Sequence, residues 1–288
     1  MGETVLLTGA TGNVGAAAAR SLSAAGVPVR IMARDPERAR AEIEDPRGVC
    51  TFTPGSFDGR VPGKELFSGV DRLFLMRPPQ IKEVGTLMFP FLQAAREAGV
   101  RRVVFLSLLG AQRLPFVPHR KLEKEILRLG FDAAFLRAGF FMQNLDGLFR
   151  SFIREERSLP APAGESRTSF VDARDLGEAA ARLLGDHTGR HGAFELTGPA
   201  SLTYGEVASA LSTELGVAVT YPAPSRREFE SVALAKGWDQ RYVKVVSRLF
   251  ITVNLGLAAK VTGELQALLG REPRRIEEYI RDHREVWL

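Results

Sequence analysis

Thr8-Gly9-Ala10-Thr11-Gly12-Asn13-Val14-Gly15 stands between an apolar run, Thr4–Thr8, and an alanine-rich helical pattern, Asn13–Ala25, that stops at Gly26. Its glycines are spaced G-x-x-G-x-x-G. Each glycine has a separate physical use. Gly9 permits a tight turn off a buried strand, Gly12 has no Cβ and lets an anion approach the main chain, and Gly15 lets the helix lie close against the sheet. The start of that helix aims unpaired N–H groups and the positive end of its dipole at the same point. A strand, turn and helix in this order form a cradle for a pyrophosphate, so Gly9, Thr11, Gly12, Asn13, Val14 and Gly15 are expected to hold a dinucleotide.

The next strand, Val29–Ala33, ends in Arg34-Asp35-Pro36. An enzyme that takes NAD usually places an acid here to bond the ribose hydroxyls. Asp35 has another use, because Asp followed by Pro is a helix N-cap followed by a first helical residue. Arg34 is left to meet a 2′-phosphate with a planar, permanently charged fork, and Arg38 one turn on is placed to assist. The expected cofactor is therefore NADP(H) in preference to NAD(H).

Further along, short apolar runs alternate with helical patterns. Strands are expected at Val49–Phe52, Asp71–Met76, Arg102–Ser107 and Asp132–Arg137, with helices at Pro36–Ile43, Ile81–Ala98 (kinked at Pro90) and His119–Leu129. Strands separated by helices give βαβ units, and right-handed crossovers wind them into a doubly wound parallel α/β sheet of Rossmann type. The rhythm changes near residue 150. Ser158–Gly164 reads as a proline-rich loop, Ala173–Leu184 as a helix, and Ala193–Leu196 and Val217–Tyr221 as short strands in a mostly helical remainder. The expected division is a Rossmann domain over 1–153 and a smaller, mostly helical substrate or lid domain over 154–288 that partly packs back on the first.

Composition narrows the class. With 288 residues, 45% hydrophobic and 25% charged, the chain reads as globular and able to bury a core without staples. One cysteine, Cys50, excludes an internal disulfide framework and reads as a small buried hydrophobe. A net charge of +5 favours anionic ligands, but the basic residues are scattered and do not point to nucleic acid. Met1-Gly2-Glu3 leads straight into a strand without the basic region of a signal peptide, and no apolar run is long enough for a bilayer; the expected location is cytoplasmic. His187 and His191 flank Gly189 in a loop that no Cys or carboxylate cluster completes, so no metal is expected, nor a flavin. A homodimer is compatible with the sequence, which does not fix the oligomeric state.

The glycine loop, the Arg34-Asp35-Pro36 turn and Phe135-Leu136-Arg137-Ala138-Gly139-Phe140-Phe141-Met142-Gln143-Asn144 together resemble the NmrA-like group of atypical short-chain dehydrogenases/reductases. Thr197-Gly198-Pro199 and the tail from Gly270 to His283 fit the same pattern. The group holds NAD(P)H-dependent quinone and azo-dye reductases, ergot-alkaloid reductases, and regulators that bind the dinucleotide without turning it over. The resemblance implies that Phe57 and Asp58 lie near the adenine, Pro78 and Pro79 border the adenosine, and Ser107 lies near the nicotinamide ribose. It also implies that Phe140 and Phe141 wall the nicotinamide, with Met142 completing an apolar substrate pocket between the two domains.

The usual catalytic Tyr-x-x-x-Lys of short-chain dehydrogenases is missing. The tyrosines are Tyr204, Tyr221, Tyr242 and Tyr279, and none has a Lys four residues on. In register with the family helix, Pro115 stands at the Tyr position and His119 at the Lys position. His119 titrates near neutrality as a free side chain and is the candidate proton donor, while Lys121 is placed to touch a ribose or phosphate. Quinones, azo groups and imines accept a hydride without a strong protein acid, so the expected function is NADPH-dependent reduction of a small electrophile. The alternative is a non-catalytic dinucleotide sensor that binds a protein partner.

Overall fold

The computed structural model describes residues 4–185 and 189–288; Met1-Gly2-Glu3 and His187 lie outside the described residues. In chain order the elements begin β1 (Thr4–Thr8), α1 (Asn13–Ala24), β2 (Val29–Ala33), α2 (Pro36–Glu42), β3 (Cys50–Pro54), β4 (Val70–Met76), α3 (Val84–Leu87) and α4 (Phe89–Glu97). There follow β5 (Arg102–Leu108), α5 (Pro118–Arg128), β6 (Asp132–Ala138), β7 (Phe140–Phe141), α6 (Asn144–Gly147), α7 (Arg150–Glu156), β8 (Arg167–Val171) and α8 (Ala173–Gly185). The chain ends through β9 (Gly192–Leu196), β10 (Ser201–Thr203), α9 (Tyr204–Leu215), α10 (Arg226–Ala235), α11 (Gln240–Asn254), α12 (Glu264–Leu269) and α13 (Ile276–Asp282).

Among the described residues, seven strands form a parallel sheet in the order β3-β2-β1-β4-β5-β6-β9. Val5, Leu6 and Leu7 of β1, Leu73, Phe74 and Leu75 of β4, and Val103, Val104 and Phe105 of β5 are all fully buried, as strands covered on both faces must be. One face carries α3, α4 and α5, whose Met88, Phe91, Leu92, Leu122 and Ile126 join the sheet in one apolar core. On the other, α1 packs on α8 so tightly that a Cβ on Gly177 would lie 2.7 Å from the Ala18 nitrogen.

Contacts divide the chain into two units. The first is 1–138 with 173–196 and 264–271; the second is 139–172 with 197–263 and 272–288. The expected boundary was a single cut after residue 153. Instead, α8, β9 and α12 return to the first unit. Two buried arginines on the sheet explain part of that return: Arg102 donates from Nε to the Leu183 carbonyl at 3.0 Å, and Arg72 donates to that of Leu184. Both cations meet the unpaired carbonyls at the C-terminal end of α8.

The second unit holds a small sheet, β10-β8-β7, with β8 antiparallel to β10 and parallel to β7. Around it the helices bury an aromatic core of Phe149, Phe152, Phe170, Tyr204, Phe229, Phe250, Tyr279 and Trp287.

Three expectations needed revision. The single helix 81–98 is two, α3 and α4, parted at Met88; Pro90 opens the second helix, where its missing N–H costs nothing, and does not kink one long one. Val217–Tyr221 is not a strand and contributes an isolated bridge from Thr220 to Ser158. Cys50 is half-buried, and burial, helped by the Asp45 carboxylate, pushes its thiol up to about 12. No helix is long and apolar enough to cross a membrane among the described residues.

Candidate functional site

The sheet order reverses between β1 and β4, and in open α/β sheets ligands bind outside the carboxyl ends of the strands at that reversal. Thr8, the last residue of β1, bridges the two strands: its hydroxyl donates to the Phe74 carbonyl at 3.1 Å and accepts from the Met76 N–H at 2.9 Å. The glycine loop opens directly above this point.

Its glycines are not equivalent. Gly9 has φ +67°, the left-handed region that disfavours side chains. A Cβ on Gly15 would stand 2.7 Å from the Gly9 carbonyl carbon and closer still to its oxygen, so the helix could not seat. Gly12 is different: its φ is −96°, and a Cβ there would find Met76 Cε at 3.3 Å and the Gly9 oxygen at 3.4 Å. Gly12 is also the N-cap of the twelve-residue α1, which has no side-chain cap and no acid in its first turn. The Asn13, Val14 and Gly15 end of the helix thus keeps its positive dipole end uncompensated.

At the end of β2, Asp35 Oδ1 accepts from the Arg38 N–H at 3.0 Å and Pro36 follows, so the acid is used as a helix cap. Arg38 Nε reaches Glu42 at 2.7 Å and is engaged along its own helix. Arg34 is exposed and has no ion pair among the described residues. Beyond β3, Phe57 is half-buried edge-on against Phe91, with centroids 4.9 Å apart, and Asp58 is exposed and accepts from the Arg60 N–H. Beyond β4, half-buried Pro78 and exposed Pro79 wrap their carbonyls round Arg77, which donates to them at 2.9 and 3.2 Å and to the Ile81 carbonyl at 2.6 Å. The Arg77 Nε–H is buried without a hydrogen-bond partner.

Under the carboxyl ends of β5 and β6 lies a buried cluster that sequence reasoning missed. Glu123, fully buried on α5, accepts from the Ser107 hydroxyl at 2.7 Å, from Arg137 Nε and Nη2 at 2.9 and 2.8 Å, and from Arg120 Nη1 at 3.0 Å. Ser107 and Arg137 face each other in register across the two strands. Burial alone would raise the Glu123 carboxyl; the hydrogen bonds from Arg137 and Ser107 and the Arg137 charge outweigh it and hold it below the ordinary carboxylate range. The available signal was Arg137 itself, a charge inside the apolar run Phe135-Leu136-Arg137-Ala138, which a covered strand tolerates only when paired.

His119 sits in the first turn of α5, one turn above Glu123, with its ring 6.1 Å from that of Phe105. Burial, then the Arg77 charge, lower its pKa to about 4 against the opposing pull of Glu123. The near-neutral titration assumed for the free side chain does not hold here: His119 is a neutral imidazole at pH 7. Lys121 is exposed on the same helix, and Pro115 is exposed in the loop before it. Phe140, Phe141 and Met142 belong to the second unit. There Phe140 is half-buried edge-on to Phe170 at 5.7 Å, Phe141 is half-buried, and Met142 lies within the apolar core. All four tyrosines are in the second unit. His191 Nδ1 lies 2.8 Å from the Gly189 carbonyl, and no group of three potential metal ligands occurs among the described residues.

The reversed parallel sheet and the uncapped glycine loop at its switch point define a Rossmann-fold protein of the dinucleotide-binding class. The chain belongs to the NmrA-like family, which it matches over residues 1–280. Among curated relatives, the NAD(P)H azoreductase of Xenophilus azovorans is 29% identical over 97% of this chain and 97% of its own length. Of solved structures, Citrobacter sp. triphenylmethane reductase in complex with NADP(H) superposes with a TM-score of 0.84, at 22% identity over 97% of this chain and 99% of that one. The negative transcriptional regulator NmrA, in complex with NADP, gives 0.78 at 20% identity over 98% and 95%. At these identities the two structures speak for the fold, which they share.

Proposed function

We propose that this chain is an NADPH-dependent reductase of a small electrophilic acceptor of quinone, azo or imine type. The observation that carries the cofactor reading is Gly12. Its neighbours leave room for a Cβ and its φ suits any residue, so the use of a glycine there is the close approach of a ligand to the backbone. The fit extends to the uncapped start of α1 for a pyrophosphate and to Arg34 for a 2′-phosphate. Phe57 and Pro78 offer the adenosine side apolar surface.

Bound NADPH supplies the hydride. The chain orients it: the loop fixes the phosphates, and the carboxyl ends of β4 and β5 underlie the opposite half. His119, neutral, offers a hydrogen bond to the acceptor and not an imidazolium proton; the proton that completes the reduced product comes from water. Electron-poor acceptors tolerate that arrangement, and alcohol dehydrogenation does not. The azoreductase among the relatives agrees with this acceptor class.

The same neutral His119, with no tyrosine in the first unit, favours a second reading, a sensor that binds the dinucleotide without turnover. A screen of NADPH oxidation over quinones, azo dyes and cyclic imines separates the two. Turnover of at least one class is expected. Tight NADPH binding with no acceptor reduced leaves the sensor.

A further inference from the structure

The Glu123 cluster has no part in the chemistry above, yet it is the most heavily bonded buried charge at the functional edge. Three segments meet on one carboxylate: the end of β5 through Ser107, the end of β6 through Arg137, and the first turn of α5 through Arg120. A buried carboxylate so placed is costly unless every partner is present, and a well-packed apolar residue would serve stability as well. Its position suggests a more specific use. A serine hydroxyl has one hydrogen, and that of Ser107 is given to Glu123. The remaining lone pairs can only accept. In a doubly wound sheet the dinucleotide crosses the switch point, with its adenosine over β2 and its other half over β4 and β5.

We infer that Glu123 is a positioning residue, which fixes the Ser107 hydroxyl as an acceptor for a hydroxyl of the nicotinamide-side ribose and holds the turn that carries His119. Arg137 keeps the carboxylate in place with a two-pronged grip, and Arg120 ties the His119 turn to it. The inference rests on the NADPH reading. It adds a division of labour: the glycine loop and Arg34 hold the phosphates and adenosine, while the Glu123 cluster reads the other half.

Two ligands separate these halves. Affinities for NADPH and for 2′,5′-ADP, which carries only the adenosine phosphates, are compared in the full chain, Glu123→Gln, Ser107→Ala and the double variant. Losing one oriented hydrogen bond corresponds to roughly a five- to ten-fold loss of affinity. Each single variant is expected to lose about that much for NADPH and to keep 2′,5′-ADP binding within about two-fold. The double variant is expected to lose no more than either single one, because both act through one hydroxyl. A parallel loss of both ligands in Glu123→Gln, losses that multiply in the double variant, or unchanged NADPH binding overturns the inference. Should Glu123→Gln fail to fold, Ser107→Ala decides alone: it keeps the arginine pairs, and NADPH binding at the wild-type level contradicts the proposal. A wild-type chain that binds 2′,5′-ADP but gains nothing from the nicotinamide half overturns the positioning role alone. One that binds neither ligand overturns the NADPH reading as well.

Discussion

His119 shows how position overrides side-chain type. As a free side chain it titrates near pH 6.5. Here burial and Arg77 take it to about 4, so between those values the folded chain binds fewer protons than the unfolded one. Stability is therefore lost as pH falls from 6.5 towards 4, by on the order of 2–3 kcal/mol from this residue. Urea unfolding at pH 7 and pH 4.5 should show a smaller acid loss in His119→Gln than in the wild type; equal losses would mean that His119 titrates normally. A positioning role also limits its share of turnover. His119→Ala is expected to reduce kcat by roughly ten- to a hundred-fold at most, short of most of the general-acid range. A much larger loss would make it the essential acid. Arg34 belongs to the same scale. Arg34→Ala should narrow the preference for NADPH over NADH by roughly ten- to a hundred-fold, the worth of charge-assisted hydrogen bonds to a phosphate; an unchanged ratio in paired titrations would place the 2′-phosphate elsewhere. What could be read along the chain was what local rules decide. Asp35 before Pro36 reads as a cap and is one. The Glu123–Arg137 pair spans fourteen positions and two elements, and no local rule joins them.

The glycine loop separates stability from binding within one turn. Gly15→Ala pushes a Cβ into the Gly9 carbonyl and should cost roughly 1–3 kcal/mol or more of stability in denaturant unfolding. Gly12→Val meets little of the protein. It should fold with near wild-type stability and lose dinucleotide binding; normal NADPH affinity in the folded variant would put the phosphates elsewhere. The elements easiest to read were those with long buried runs and glycine stops, such as β1 with α1 and β5 through β6. The three strands of the second unit, β7, β8 and β10, were not read. They have two, five and three residues, and their partners lie across intervening segments, so no run of alternation marks them. The break at Met88 was hidden because Pro90 in a helical pattern signals either a kink or a first turn, and only packing chooses between them.

At the scale of the molecule, the doubly wound order was legible because strands alternate with helices from the first residues described. The interleaving of the units was not. A contiguous reading cuts the chain once, whereas α8, β9 and α12 belong with the first unit although they follow 139–172 or lie beyond residue 263. The arginines that hold the end of α8, Arg72 and Arg102, precede it by some eighty residues or more, and a contact that distant leaves no periodic trace. The account's central claim joins the sheet, the loop and Arg34 into one function. It is tested most directly by mixing the protein with NADPH or NADH and an excess of a quinone, an azo dye or a cyclic imine, and following loss of the reduced nicotinamide. The account predicts acceptor-dependent oxidation that saturates with the acceptor and runs much faster from NADPH than from NADH. NADPH that binds and stays reduced in the presence of all three acceptor classes would contradict it.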